Sequence, residues 1–224
     1  MDKLSKAEFR WIDLSLLSVI LVLKLILPAW PADLHSGDLI FLDLDCGEIC
    51  DAIEDVTLEQ FHVSAPRLSH VGVLSFDRDS REWWVFEAWP QRGVSRISLD
   101  RFLKRVKSGE DQKDGYYLVR FPASLRSQAI EALKRIRRYF GKPYDSAFVV
   151  NDSDFYCSEL VYQSWQGQGM NPFSLLPMYF GAPESPQGRI WKEYFADLKI
   201  SIIPEFLPGI SPLGIYLQAQ AVLN

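Results

Sequence analysis

The chain has 224 residues, 48% hydrophobic and 13% aromatic, which is enough for one domain with a substantial core plus an appendage and too apolar for a disordered chain. Against 24 Lys and Arg stand 29 Asp and Glu, a net charge of −5, and the one short basic run, 134–138, is interrupted by Ile136 on a predicted helix, so nucleic acid is excluded as a natural partner. Three cysteines is an odd number: at most one disulfide forms and at least one thiol is left over, with Cys157 the natural remainder.

Residues 11–30 are strongly apolar but interrupted by Asp13 and Lys24, and the uncharged core at 14–23 is short for a membrane span of about 20 residues while suiting the core of a signal sequence. Lys3, Lys6 and Arg10 precede it, and after Lys24 no Lys or Arg occurs until Arg67, a bias that keeps the N-terminus inside and sends the rest outside. Leu27-Pro28-Ala29-Trp30-Pro31-Ala32 makes a poor cleavage site. The expectation is a signal anchor and linker over residues 1–32, holding a domain of residues 33–224 outside the cytoplasm, with a cleaved signal peptide or an amphipathic or buried helix as alternatives.

Residues 37–42 read as the first strand, opened by a turn at Ser36 and Gly37. A helix over 46–56 places Ile49, Ile53 and Val56 on one face and Cys46 and Cys50 one turn apart. These two cysteines pair, stay as half-buried thiols, or bind metal with His62 or His70; a lone Cys-x3-Cys is a weak metal signal, and no metal is assigned. Residues 68–76 and 82–88 form a hairpin. With Asp77, Arg78, Asp79 and Ser80 as its loop, Phe76 opposes Arg81 and His70 falls directly opposite Glu87. A histidine facing a carboxylate is held in one tautomer and its protonated form is stabilised, as a base serving a thiol requires; the plainer reading is a cross-strand pair that satisfies a half-buried histidine.

A short strand at 93–97 leads to a helix capped by Ser98 and running from Leu99 to about Val106, then a surface loop over 107–115. A strand at 116–121 ends at Pro122. Ser124 caps a helix with Ala129, Ile130, Leu133, Ile136 and Phe140 inward and a solvated basic face outward, closed by Gly141 and Pro143. Next comes the helix on which the chain turns: Asp154 as N-cap, Cys157, Leu160, Val161, Ser164 and Trp165 on one face, Gly167 and Gly169 as stops. The thiol lies in the first turn, where unpaired amides and the helix dipole favour the thiolate and offer hydrogen bonds to an oxyanion. The alternative is a small buried hydrophobe at a helix end. Beyond Gly169 the prolines predict wrapping loops with one short helix, anchored by Trp191, Tyr194 and Phe195. Strands cluster in sequence and helices flank them, an α+β arrangement with a small antiparallel sheet.

Gly37-Asp38-Leu39-Ile40, Ser69-His70-Val71-Gly72, Val85-Phe86-Glu87-Ala88, Gly141-Lys142-Pro143-Tyr144-Asp145 and Tyr156-Cys157-Ser158-Glu159, in that order, resemble the permuted papain-like amidases, the YaeF/YiiX-type branch of the NlpC superfamily. The resemblance implies a papain-like core in which a sheet carrying the base precedes and packs on a helix carrying the nucleophile. It implies Cys157 as nucleophile, His70 as base and Glu87 in the orienting position. Tyr144 and Tyr156 also match, either supporting an oxyanion or substrate or simply packing. The implied reaction is cysteine-dependent amide hydrolysis through a thioester, without a cofactor, on a peptide or other amide-containing substrate; cell-wall peptides are suggested by the wider superfamily. Two alternatives stand beside it: a thiol-dependent lipid acyltransferase or thioesterase, and a non-catalytic membrane-anchored binding module.

Overall fold

The computed structural model describes residues 34–44, 46–106, 115–151, 153–167, 169 and 171–223. The expected apolar helix at 11–30 and most of the expected loop at 107–115 lie outside these residues; among those described, no helix is long and apolar enough to cross a membrane. The chain runs through β1 (Leu39–Leu42), α1 (Glu48–Phe61), β2 (His70–Asp77), β3 (Glu82–Trp89), β4 (Gly93–Ser98), α2 (Leu99–Leu103) and β5 (Tyr116–Val119). A 3-10 turn (Ala123–Leu125) leads into α3 (Arg126–Arg138), and α4 (Cys157–Trp165), β6 (Leu176–Pro177), α5 (Pro186–Asp197), β7 (Pro208–Gly209) and α6 (Pro212–Ala221) complete the order. Residues 35–224 make one unit.

The main sheet has the order β4-β3-β2-β1-β5, antiparallel throughout. All four residues of β1 are buried, as its central place demands. Leu39, Phe41, Val71, Val73, Phe86 and Ala88 pack against Ala129, Leu133 and Ile136 of α3 and Leu160, Val161 and Trp165 of α4. A second cluster, with Ala52 and Val56 of α1, Phe148, Phe180 and Trp191 and Phe195 of α5, stands beside it and encloses Tyr156. This is the expected α+β arrangement, a small antiparallel sheet packed on the cysteine helix.

Asp38 joins three parts of the core. Its buried carboxylate accepts hydrogen bonds from the amides of His35 (2.9 Å) and Phe121 (3.3 Å) and pairs with Arg126, fixing the start of β1 to the connection between β5 and α3. Burying a carboxyl group is costly unless it is hydrogen-bonded and paired in this way.

Five expectations about the helices are corrected. Ser124 does not cap α3: it lies inside the 3-10 turn, and Leu125 holds the N-cap position. The helix opening at Leu99 stops at Leu103, short of Val106. Phe140, placed inward, is 56% exposed, because α3 ends at Arg138 before another inward turn forms. Asp154 does not cap the cysteine helix; Tyr156 holds the N-cap position. The C-terminal third holds two helices instead of one short one. Its prolines begin helices: Pro186 and Pro212 sit in the first turns of α5 and α6, behind Ser185 and Ser211, whose hydroxyls accept the Gly188 and Gly214 amides at 2.9 and 3.0 Å. Proline at that position has no amide to lose and a φ already suited to the helix.

Candidate active site

Cys157 is the first residue of α4, and its thiol is free and buried. The first-turn amides of a helix have no intrahelical acceptor, so a group beside this sulfur meets N–H donors at the positive end of the dipole. Two buried carboxyls brace the segment that leads into α4. Glu159 accepts from the amides of Asn151 (2.7 Å) and Tyr156 (3.4 Å), and Asp145 accepts from Ala147 and Val149 (2.7 Å each). Burial raises both carboxyls above the ordinary carboxylate range, Glu159 to about 8, although each gains amide hydrogen bonds that oppose it.

His70 opens β2 and is buried. Its Nε2 lies 2.8 Å from Glu87 Oε2, and the ring lines the same cavity as Cys157. Burial pushes the imidazolium toward neutrality; the hydrogen bonds and charges of Cys157 and Glu87 outweigh it and raise its pKa to about 9. Trp89 meets the ring edge-on at 5.4 Å and Phe102 tilts against it at 5.6 Å, fixing its plane.

The hairpin register differs from the expected one. Asp77 pairs with Glu82 and Phe76 with Trp83, so the loop is residues 78–81. Asp77 Oδ1 accepts the amides of Asp79 and Ser80, and Arg81 turns the corner with φ 57°. Continuing that register sets His70 opposite Trp89 and Glu87 opposite Gly72. His70 and Glu87 are therefore diagonal neighbours and not a direct pair, yet a shift of two keeps both side chains on one face and their contact survives. Gly72 on β2 has no space for a side chain: a Cβ there would stand 2.3 Å from Val85 Cγ1.

Sequence reasoning missed the guanidinium groups behind Glu87. Arg105 contacts both carboxylate oxygens (3.0 and 2.8 Å) and Arg92 reaches Oε1 at 3.1 Å. Arg105 also lies over the Trp89 ring, 3.9 Å from its centroid. Burial alone would raise the Glu87 pKa; the His70 hydrogen bond and the charges of His70 and Arg105 bring it below the ordinary value. Arginines 5 and 18 residues from their partner have no periodic signature, so only the fold reveals them.

Tyr144 and Tyr156 both line the cavity that contains Cys157 and His70, and their hydroxyls differ in use. Tyr156 accepts the Ile210 amide at 3.1 Å and is buried. Tyr144 is half-buried, and burial followed by the charge of Cys157 holds its phenol well above the usual value, neutral and able to donate. It is brought there by a bridge to Phe155, the residue two before the cysteine. The cavity has a volume of about 300 Å³. Cys46 and Cys50, which also line it, are joined as a disulfide at the start of α1.

A model of the permuted papain-like amidase enzymes (YaeF/YiiX, C92 family) matches residues 33–195. The uncharacterized protein YiiX of Escherichia coli K12 is 29% identical over 149 residues, 66% of this chain and 65% of its own length, so the chain spans just under two thirds of that relative. A crystal structure described as metalloprotein YiiX from Escherichia coli O157:H7 superposes with a TM-score of 0.62 at 26% identity, covering 81% of this chain and 91% of the other. Among the described residues here, no group of three or more His, Cys, Asp or Glu is disposed to hold a metal ion. The family match takes in β1 through α4 together with both Cys157 and His70, and with it the chain belongs to the permuted papain-like amidases of the YaeF/YiiX, C92 family.

Proposed function

We propose that this protein hydrolyses an amide bond through a thioester on Cys157, with His70 as base and acid and Glu87 as the carboxylate that orients it. The observation that supports the reading is that Cys157 and His70, both buried, line one cavity, with Glu87 Oε2 2.8 Å from His70 Nε2. His70 takes the thiol proton and the thiolate attacks the carbonyl carbon. The new C–S bond leaves an oxyanion facing the first-turn amides of α4, with the Tyr144 hydroxyl as a second donor. Collapse breaks the C–N bond while His70 returns its proton to the leaving amine. Water, deprotonated by His70, then cleaves the thioester, releases the carboxylic acid and restores the thiol.

Location outside the cytoplasm goes with this reading. It is supported by the Lys and Arg bias around residues 11–30 and by the Cys46–Cys50 disulfide, which persists in an oxidising compartment. Intact-mass measurement of the full chain with an activated amide is expected to find one acyl group on Cys157, none on Cys157→Ala, and acylation slowed about a hundredfold or more in His70→Ala. Equal acylation of wild type and His70→Ala would overturn the reading. Product analysis with an added amine separates hydrolysis from acyl transfer.

A further inference from the structure

A second concavity lies at the other end of the hairpin. It is an open groove of about 770 Å³ between the hairpin end of β2 and β3, the neighbouring part of β4 and the last turn of α3, and it shares no described residue with the Cys157 cavity. On β2 its first wall residue, Ser75, stands five residues past His70, about 17 Å along the strand.

The charge of the groove is opposite to that of the chain. Arg78, Arg96 and Arg137 line it against a single carboxylate, Asp77, in a protein of net charge −5. Asp77 is committed to its own turn, where Oδ1 accepts the Asp79 and Ser80 amides, and those hydrogen bonds hold its carboxyl below the ordinary value. It offsets one guanidinium and leaves two.

Two of the guanidiniums are held by aromatic rings. Arg96 lies over Trp84, 4.5 Å from the ring centroid, and Arg137 over Phe86 at 5.7 Å; the two rings stand two residues apart on β3 and so face the same way. A guanidinium on a ring keeps its five N–H donors at its edge. One Arg137 donor goes to Ser75 Oγ at 3.1 Å, and Arg96 stands 3.6 Å from Asp77 Oδ2. The Trp84 indole N–H, buried in the same wall, has no acceptor among the described residues, an uncommon state for a buried donor. The frame is fixed, because the segment after α3 is tied to β4: the Gly141 amide donates to the Val94 carbonyl and the Val94 amide to the Lys142 carbonyl, each at 2.8 Å. Phe76 and Phe140 turn exposed rings to the rim.

We infer that this groove binds a phosphate monoester carried on an apolar body. The dianion matches the two uncompensated guanidiniums, whose N–H forks suit phosphate oxygens, and Phe76 and Phe140 cover the attached group. Two sources have this chemistry: a small aryl or alkyl phosphate in solution, and phosphatidic acid in a lipid layer.

Titration calorimetry of the full chain with phenyl phosphate at low salt tests it. One-site binding is expected, tightening about fivefold or more from pH 5 to pH 7 as the phosphate, with a second pKa of about 6, becomes a dianion. Phenyl sulfate, of the same shape with one charge, should bind more weakly. Arg96→Gln and Arg137→Gln should each lower affinity about tenfold or more, and the double variant should abolish binding. Trp84→Phe, which keeps an aromatic ring and removes the N–H, should weaken it several-fold. Near-UV circular dichroism checks the fold of each variant, and Arg96, 46% exposed, carries the test alone if Arg137→Gln unfolds. Phosphatidylcholine vesicles with phosphatidic acid, compared with vesicles of equal charge made with phosphatidylglycerol, assign the source. A preference for phosphatidic acid that the double variant loses places the ligand in a lipid layer; binding of phenyl phosphate without that preference places it in solution. Binding of neither, equal affinity for phenyl sulfate, or phosphate binding unchanged in the double variant overturns the inference.

Discussion

Glu87 remains anionic while fully buried because three cations converge on it: Arg92, Arg105 and the protonated His70. Replacing it by the neutral isostere keeps shape and removes the charge that holds His70 in one tautomer. Glu87→Gln should therefore fold and react about a hundredfold or more slowly, read as kcat/KM on any amide that acylates Cys157. Gly72 is constrained by space: a methyl group there meets the buried Val85, so Gly72→Ala should cost about 1–3 kcal/mol in denaturant unfolding and displace the hairpin that carries both His70 and Glu87. These residues show why the site was largely legible. His70 and Glu87 were found although the loop had been placed one residue early, because that error moved the pairing by two and side chains alternate with period two. An error of odd size would have put them on opposite faces. The arginines that keep Glu87 charged were not legible, since their meeting depends on how β4 and α2 fold back.

The element that carries Cys157 is α4, and it is held by segments both upstream and downstream of it. Upstream, Glu159 gathers the Asn151 and Tyr156 amides; downstream, Ser158 Oγ donates to the Ile210 carbonyl at 2.7 Å and Tyr156 accepts the Ile210 amide. Tyr156→Phe keeps the ring packing and orphans a buried amide, which should cost about 1–3 kcal/mol in unfolding free energy. The helix itself was readable from its apolar spacing. Its cap was not: Asp154 has the right chemistry for one, but its amide is taken by Asn151 Oδ1 and the helix begins three residues later. At α1 the disulfide closes a short loop, Cys46 and Cys50 being four residues apart, so the entropy it removes from the unfolded chain is small. Changing both cysteines to serine should cost about 2 kcal/mol, measured by denaturant unfolding with and without reductant.

Across the whole molecule, the buried titratable groups favour acid conditions. His70, raised from 6.5 to about 9, contributes stability that is complete below pH 6.5 and lost as pH rises through 9. Glu54 and Glu159, raised from 4.5 to about 7 and about 8 chiefly by burial, work in the same direction, because above pH 4.5 the unfolded chain ionises first. Glu87, lowered by its partners, contributes stability that fades only as pH falls below 4.5. Tm by scanning calorimetry should therefore be highest near pH 5 and fall toward pH 9, with a shallower fall in Glu159→Gln; a Tm that rises over that interval would contradict the assignment of these groups. The antiparallel sheet and its packing on the cysteine helix were readable from strand and helix patterning, while the C-terminal helices were hidden by prolines that also begin helices. Those late helices bear on how the protein is made. The partner of Ser158 lies 52 residues further along the chain, and at about 5–20 residues per second several seconds separate synthesis of Cys157 from arrival of the segment that secures its helix. The nascent chain thus carries Cys157, His70 and Glu87 before α4 has its downstream support, so if the proposed reaction holds, reactivity waits for the segment around Ile210.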